Sequence, residues 1–521
     1  MKTPKENKLF KPYNQNQQML IPPSIEDFID KNHPVRVVNK IIDAIDIRPL
    51  LHKYRGGGRS SYNPLMLLKV VLYSYMNNIY STRKMEQVLR ENVHFMYLSG
   101  MQHPDHNTLS RFRSDKLEGV LNKLFNQVVM LLAKEGHISL KEVFIDGTKI
   151  EANANKYTFV WGKSIKYNEE KIYDQLKELW AYSRQVLKSE EQENIALEFH
   201  EINPKTIKET IEKIDQAISA SEEADKKIKQ KVKYAKKNWP DNLRKYEQQK
   251  GLLGQRNSYS KTDTDATFMR MKEDHMMNGQ LKAGYNAQIA TNNQMIVSYG
   301  IYQKSTDTTL LSSVVEQFKE EYNEAPEYIV ADAGYGSEEN YRYLEQEKIK
   351  AVVKYNTYDK EEKRKKKNQL LTEDLHYNKQ GDYYICHMGQ HMNFIGNKTR
   401  KTSTGFITEI SRYQAQNCEG CPLHGPCHKG NGNRILEVNH RLNKLKAETR
   451  ELLESEVGDK LRRKRKTDVE PVFGNIKQNM RFTRFMLRGI KKVGVEMGLL
   501  AFAHNFRKLS IKLNVLEPAF S

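Results

Sequence analysis

Two short apolar runs constrain this chain more than anything else in it. Val143-Phe144-Ile145 stops at Asp146 and Gly147, and Tyr328-Ile329-Val330-Ala331 stops at Asp332, with Gly334 two residues further on. An uninterrupted apolar run of this length, followed by turn residues, predicts a strand buried on both faces. A carboxylate at the carboxyl end of such a strand lies where open sheets bind their ligands. Between the two, Gly284 to Thr291 and Met295 to Gln303 read as a hairpin around Asn292-Asn293, and Thr308 to Glu321 reads as a helix capped by Asp307. Beyond Asp332, Ser337 is placed to cap a helix to about Gln346, and Ile349 to Tyr355 is a further strand. The order β, ββ, α, β, α, β predicts an α/β fold, a mixed sheet with flanking helices.

The rest of the chain divides around that sheet. Residues 1–140 read as an all-α domain, with Asn63-Pro64 opening one helix and Ser81 capping another. Within it, His103-Pro104-Asp105-His106-Asn107-Thr108-Leu109-Ser110-Arg111-Phe112-Arg113 resembles the turn and recognition helix of a helix-turn-helix unit. A bundle with solvated arginines fits that spacing equally well. The sheet domain takes residues 141–164, 257–357 and 461–521, interrupted twice. In 165–256 the positions 211, 214, 218, 221, 225, 228, 232, 235 and 239 form a heptad seam that Ser221 and Asp225 break. Ile172, Leu176, Leu179 and Val186 give a shorter matching seam upstream. A projecting helical hairpin is the expectation, with a dimerising coiled coil as the alternative. The second interruption, 358–460, carries the basic run Lys363 to Lys367 and all four cysteines.

Charge narrows the class of partner. The 521 residues hold 85 Lys and Arg against 65 Asp and Glu, a net +20, so a polyanion is the first partner to consider. No apolar stretch is long enough to span a bilayer, and residues 1–18 lack a signal-peptide pattern. The expected compartment is the cytoplasm, at the nucleoid. Cys418-x2-Cys421-x5-Cys427 with Cys386 upstream can supply four thiolates to a structural Zn2+; four reduced free thiols are the alternative.

A third carboxylate completes the chemistry. In Asp468-Val469-Glu470-Pro471-Val472-Phe473-Gly474-Asn475-Ile476-Lys477, the residues Val469, Val472, Phe473, Ile476 and Met480 mark one helical face, which would pack on the sheet. Pro471 places Glu470 in a first turn or at a kink. Three carboxylates at one sheet edge repel, and divalent cations relieve the repulsion. A pair of such ions supports phosphodiester displacement. Lys477, Arg481, Arg484 and Arg488 recur every three or four residues, as expected of a cationic helical face beside Glu470. Singly, each strand-end aspartate reads as a turn cap, and Glu470 as the partner of a surface ion pair with the Arg462 to Lys466 run.

Taken together, three runs resemble the acidic motifs of bacterial insertion-sequence DDE transposases: Ile145-Asp146-Gly147-Thr148-Lys149-Ile150-Glu151-Ala152-Asn153-Ala154, Ala331-Asp332-Ala333-Gly334-Tyr335-Gly336-Ser337, and Val469 to Lys477. The likeness extends over Pro104 to Arg113, Thr262-Asp263-Thr264-Asp265-Ala266, Gly284-Tyr285-Asn286 and the stretch from Arg481 to Asn505. It implies a ribonuclease-H-like core and Asp146, Asp332 and Glu470 as ligands of two Mg2+ or Mn2+ ions. It also implies double-stranded DNA as partner, both the element's terminal repeats and the target, with a homodimer acting on it. Arg111, Arg113, Lys466, Lys477, Arg481, Arg484 and Arg488 are the expected DNA contacts. Many relatives carry Tyr and Arg seven and four residues before the Glu, where this chain has Arg463 and Lys466. Asp307 also fits a family motif and is assigned a supporting or capping role. Two rival readings are a ribonuclease-H-like nuclease without strand transfer and a non-catalytic DNA-binding regulator.

Overall fold

The computed structural model describes residues 24–54, 61–186, 204–219, 225–271, 280–363 and 375–513. The basic run from Lys363 falls outside these except for Lys363 itself. The chain divides into two compact units, one of residues 1–117 with 505–521 and one of residues 118–504.

The smaller unit is helical: α1 (Pro34–Asp43), α2 (Arg48–Leu51), α3 (Pro64–Met76), α4 (Thr82–Glu91), α5 (Val93–Ser99) and α6 (His106–Arg111). Every residue of α3 from Met66 to Met76 is buried, which makes it the central helix. Asn63 caps it as expected, its side chain accepting from Leu65 N at 2.8 Å, whereas Ser81 makes no side-chain cap to α4. The cap of α1 is a histidine. His33 Nδ1 accepts from Val35 N at 3.2 Å, and its ring stacks on His94 with centroids 3.8 Å apart.

Burial and the neighbouring His94 hold His33 down at a pKa of about 4. The unfolded chain takes up a proton near pH 6.5 that the folded one refuses until about pH 4. Above pH 6.5 both states are neutral and the linkage vanishes; from 6.5 down to 4 it opposes folding progressively. Hydrogen exchange at the amides of α1 should therefore quicken across that window, and His33→Asn, which keeps a capping acceptor, should flatten the response. Equal pH dependence in wild type and variant would assign the effect to another group.

The larger unit opens with α7 (Leu121–Lys134) and is built on a six-stranded mixed sheet. Its strands are β1 (Glu142–Glu151), β4 (Thr267–Arg270), β5 (Leu281–Asn292), β6 (Met295–Tyr302), β7 (Tyr328–Ala331) and β8 (Lys350–Val353). β5 pairs antiparallel with β1, β4 and β6, while β1, β7 and β8 run parallel. The expected β, ββ, α, β, α, β order is present, with α11 (Leu311–Tyr322) and α12 (Glu338–Gln346) as its helices. The hairpin turns at Asn293-Gln294, one residue beyond the expected position. Both residues take positive φ, +53° and +62°, as a two-residue hairpin turn requires.

The first interruption departs from the expected helical hairpin. After the short paired strands β2 (Phe159–Trp161) and β3 (Ser258–Ser260), it holds three helices, α8 (Gly162–Val186), α9 (Pro204–Ser219) and α10 (Lys226–Leu253). The heptad positions are buried as predicted, Ile211, Ile214, Ile218, Val232, Ala235 and Trp239 meeting Leu176, Leu179 and Trp180. They belong to two helices because Asp225 starts a new one, its carboxylate accepting from Lys227 N at 2.9 Å. The seam is thus covered within the chain, which removes the basis for a dimerising coiled coil along it.

The second interruption contains α13 (Tyr358–Glu362) and an antiparallel sheet. Its strands are β9 (His376–Asn378), β10 (Tyr383–Ile385), β11 (His391–Lys401), β12 (Ile407–Ala415) and β13 (Ile435–Val438), in the order β13-β12-β11-β10-β9. Three helices return the chain to the main sheet: α14 (His440–Glu454), α15 (Glu456–Asp468) and α16 (Glu470–Gly474). The last helix is α17 (Ile490–Lys512), whose residues up to His504 belong to this unit.

Candidate active site

Asp146 lies inside β1, not at its end as expected, because β1 keeps pairing with β5 as far as Glu151. What ends is the other partner. β1 and β7 pair only through Glu142–Tyr328, Val143–Ile329 and Phe144–Val330. Carried two steps past its last pair, that register would bring Asp146 level with Asp332, the residue that follows β7 and caps a short turn, accepting from Gly334 N at 2.9 Å. Paired strands lie about 4.8 Å apart, and the charges of both carboxylates reach the Tyr335 phenol. Asp146 is 9% exposed and accepts from Gly147 N at 2.8 Å.

The helix that precedes the third carboxylate, α15, covers the face of Glu142 and Phe144. Lys464 of α15 reaches Glu142 at 3.3 Å, and Asp468 at its end accepts from Thr291 Oγ1 at 2.7 Å. Thr291 is the register partner of Phe144, two residues before Asp146 and therefore on its face. α15 thus runs along β1 on the face of Glu142 and Phe144, and Glu470 follows two residues past Asp468. The break that exposes it is the expected one: α15 closes at Asp468 and α16 opens on Glu470 with Pro471, which has no N–H to give. The Glu470 side chain is 52% exposed and turned to Arg465 at 3.1 Å, the ion pair that the adjacent basic run predicts. Among the described residues no three His, Cys, Asp or Glu side chains form a metal-holding group.

Sequence reasoning missed the polar network on the opposite face. Asp307 does not cap a helix through its carboxylate. Its Oδ1 accepts from Asn286 at 2.7 Å and from Gln288 at 2.8 Å, and only its carbonyl takes Leu310 N. Gln288 also donates to Asn286 at 2.8 Å and accepts from the Tyr335 hydroxyl. Gln288 is opposite Gly147 in the sheet, and a methyl at Gly147 would run into the Gln288 amide and the Asp307 carboxylate. Burial first, and then the charges of Asp307, Asp146 and Asp332, push the Tyr335 phenol well above its ordinary pKa. One neutral ring therefore reports all three aspartates around it. The available signal was Asn286 and Gln288 alternating with apolar residues in a strand buried on both faces, since buried amides need partners.

The expected DNA contacts divide. Arg111 and Lys466 are exposed. Arg113 is instead buried, 5% exposed, donating to the Tyr75 hydroxyl at 3.1 Å and the Tyr80 carbonyl at 2.7 Å; it braces the helical unit and is not a surface cation. Nor do Lys477, Arg481, Arg484 and Arg488 share a helical face. A π-turn over Asn475–Asn479 ends the helix, and Arg481 takes a φ of +53°. Beyond it Arg484 donates to the carbonyls of Ala152 and Ala154, each at 3.1 Å, and Arg488 to that of Asn153 at 2.9 Å. These guanidiniums staple the segment to the extension of β1.

The cysteines gather at one end of the second sheet, Cys386 after β10 and the others after β12. Arg434 N donates to Cys418 Sγ at 3.3 Å and Arg434 Nη1 to Cys427 Sγ at 2.8 Å. All four are free thiols of intermediate exposure.

Residues 385–510 match the family model of a transposase DDE domain, and residues 23–115 match that of a transposase domain (DUF772). The first match contains Glu470 and the cysteines; Asp146 and Asp332 lie upstream of it. No curated protein matches the chain. No helix among the described residues is long and apolar enough to cross a membrane.

Proposed function

Because the chain belongs to the insertion-sequence DDE transposases, we propose that it cleaves DNA at the ends of a mobile element and joins those ends to target DNA. The observation that supports this reading is the parallel register of β1 and β7, which, continued two residues past Phe144–Val330, would align Asp146 with Asp332 on the face along which α15 leads to Glu470. Carboxylate oxygens are the donors that Mg2+ and Mn2+ prefer, and Asp146, Asp332 and Glu470 are the residues to hold them. Two divalent ions, when bound, activate the attacking oxygen and stabilise the leaving one. For Glu470 to join the aspartates, its side chain has to leave Arg465. Lys466 and Arg481, both exposed close to Glu470 in the chain, suit phosphate oxygens, and Arg111 suits them in the helical unit. A homodimer on paired ends is part of the proposal.

A plasmid-joining assay tests it. Purified protein, duplex carrying the element's ends and a supercoiled target should give joined products with Mg2+ and none with chelator. Cutting without joining would leave a nuclease. Salt-sensitive binding without cutting would leave a regulator.

The cysteine cluster belongs to the same proposal as a structural zinc site, its four soft donors gathered at one end of a sheet. Forming the shell requires the four thiols to draw together, with Cys427 leaving Arg434. Metal analysis should find about one zinc per chain, with a lower melting temperature after chelation. Zinc-free protein with an unchanged melting temperature would remove the site.

A further inference from the structure

The β11–β12 ribbon outruns its own sheet. β10 pairs with β11 only at His391 to Asn393, and β13 pairs with β12 only at Ser411 to Gln414. From Gly396 to Lys401 and from Ile407 to Ile410 the ribbon has no strand on either side, and Ile407 is 62% exposed. A two-stranded ribbon standing alone is marginal, so its tip needs a support. That support is the first turn of α12. Thr404 donates to Glu339 at 2.7 Å, Thr408 donates to Glu338, and Asn439 also donates to Glu338 at 2.6 Å, while Arg342 lies over the Phe406 ring at 5.3 Å.

The ribbon tip, the turn before α11 and the start of α12 line a cleft of about 480 Å³. Arg400 and Lys401 line it from the ribbon, and Thr306, Thr308, Thr309 and Ser337 from the core. Thr306 and Thr308 flank Asp307, and Ser337 ends the turn that Asp332 begins, roughly 10 Å along the chain at 2 Å per residue. The two carboxylates in the lining, Glu338 and Glu339, are engaged in holding the ribbon. Hydroxyls and exposed cations are the groups that bind phosphate oxygens without reading bases. The volume is that of a pocket for a small organic ligand, one or two nucleotides, and far short of a duplex.

We propose that this cleft clamps the backbone of a single DNA strand as it leaves the acidic site, so that the ribbon acts as a strap over the frayed end. The inference rests on the transposase reading and adds to it a partner state, unpaired strand, and a place. Its test uses the full chain with Arg400→Ala and Lys401→Ala combined, both exposed and outside the carboxylate site. DNA affinity is measured against salt for blunt end-containing duplex and for the same duplex with a single-stranded tail at the cleavage position. The double variant should reduce the salt slope on tailed DNA by about 1.4, the counterions released by two contacts to a single strand, and leave blunt duplex unchanged. A second variant, Ser403→Cys at the ribbon tip, should cross-link to a thiol-reactive group on a phosphate of the tail and not to one placed inside the duplex. An unchanged slope on tailed DNA, or an equal loss on both substrates, overturns the clamp even if wild type still cuts and joins. A wild type that neither binds nor cuts DNA overturns the transposase reading and the clamp with it.

Discussion

Replacing Asp332 by Asn should lower metal-dependent nicking by about 1,000-fold while leaving the protein folded. The magnitude follows from the proposed role of Asp332 as a metal ligand, because partners one shell further out already cost about 10- to 100-fold. The fold should survive because the structural duty of Asp332 is to accept one hydrogen bond from Gly334 N, which an asparagine carbonyl performs as well. Asp146→Asn should be equally severe, since the proposal gives it the same duty as Asp332. Asp307→Asn is the informative contrast. Asp307 stands behind Gly147 on the opposite face and accepts from Asn286 and Gln288, so an amide oxygen there keeps both bonds and activity should fall by less than about tenfold. Nicking rates of the three variants at saturating Mg2+, with circular dichroism as the control, decide the matter. An Asp332→Asn enzyme that still nicks would remove Asp332 from the chemistry. An Asp307→Asn enzyme as dead as the others would move Asp307 into the site.

What was legible in the sequence was whatever local rules determine. The strands through Val143 and Tyr328, the capping Asn63 and Ser337, and the break before Pro471 each follow from a few adjacent residues. Their partners follow from the period of burial. The heptad pattern gives the buried positions 211, 214, 218, 232, 235 and 239, yet the division into two helices depends on Asp225, an exposed helix cap at a position that also fits a seam. Arg113 departs for a different reason: spacing tells how charges recur along a chain, not which of them meets a buried tyrosine and a carbonyl from the loop between α3 and α4. The cationic face after Glu470 failed because a helix was extended through Asn475 to Arg488, while backbone bonds to β1, made across more than 300 positions, pull that segment into extended form. Such bonds leave no period to read.

The same segment carries the largest expected effect on stability. Residues 481–489 contain no helix, and their backbone groups are satisfied from elsewhere. Phe485 N donates to Glu151 O at 2.9 Å, and Glu151 N to Thr483 O at 3.3 Å. Gly489 N donates to Asp263 at 3.1 Å and Ile490 N to Asp265 at 2.9 Å, which holds two acidic side chains at the start of α17. The deepest of these acceptors is Glu496, fully buried, which takes Met486 N at 2.8 Å and Leu487 N at 3.0 Å on one oxygen. Glu496→Ala removes the shared acceptor of both N–H groups. A donor left unsatisfied costs about 1 to 3 kcal/mol, so a loss of about 3 kcal/mol is expected for the two. Glu496→Gln keeps an acceptor of the same reach but places an amide donor in the pocket, and should fall between wild type and Ala. Arg484→Ala removes two bonds to carbonyls at a more exposed site and should cost about 1 kcal/mol. The ranking can be read from melting temperatures and from protease cleavage within 481–489, which should accelerate in the order Arg484→Ala, Glu496→Gln, Glu496→Ala. Because β1 carries Asp146 and ends under this segment, the Glu496 variants should also lose activity at temperatures where the rest of the unit is still folded. A Glu496→Ala protein as stable and as protease-resistant as wild type would show that the carboxylate is not what holds the segment down.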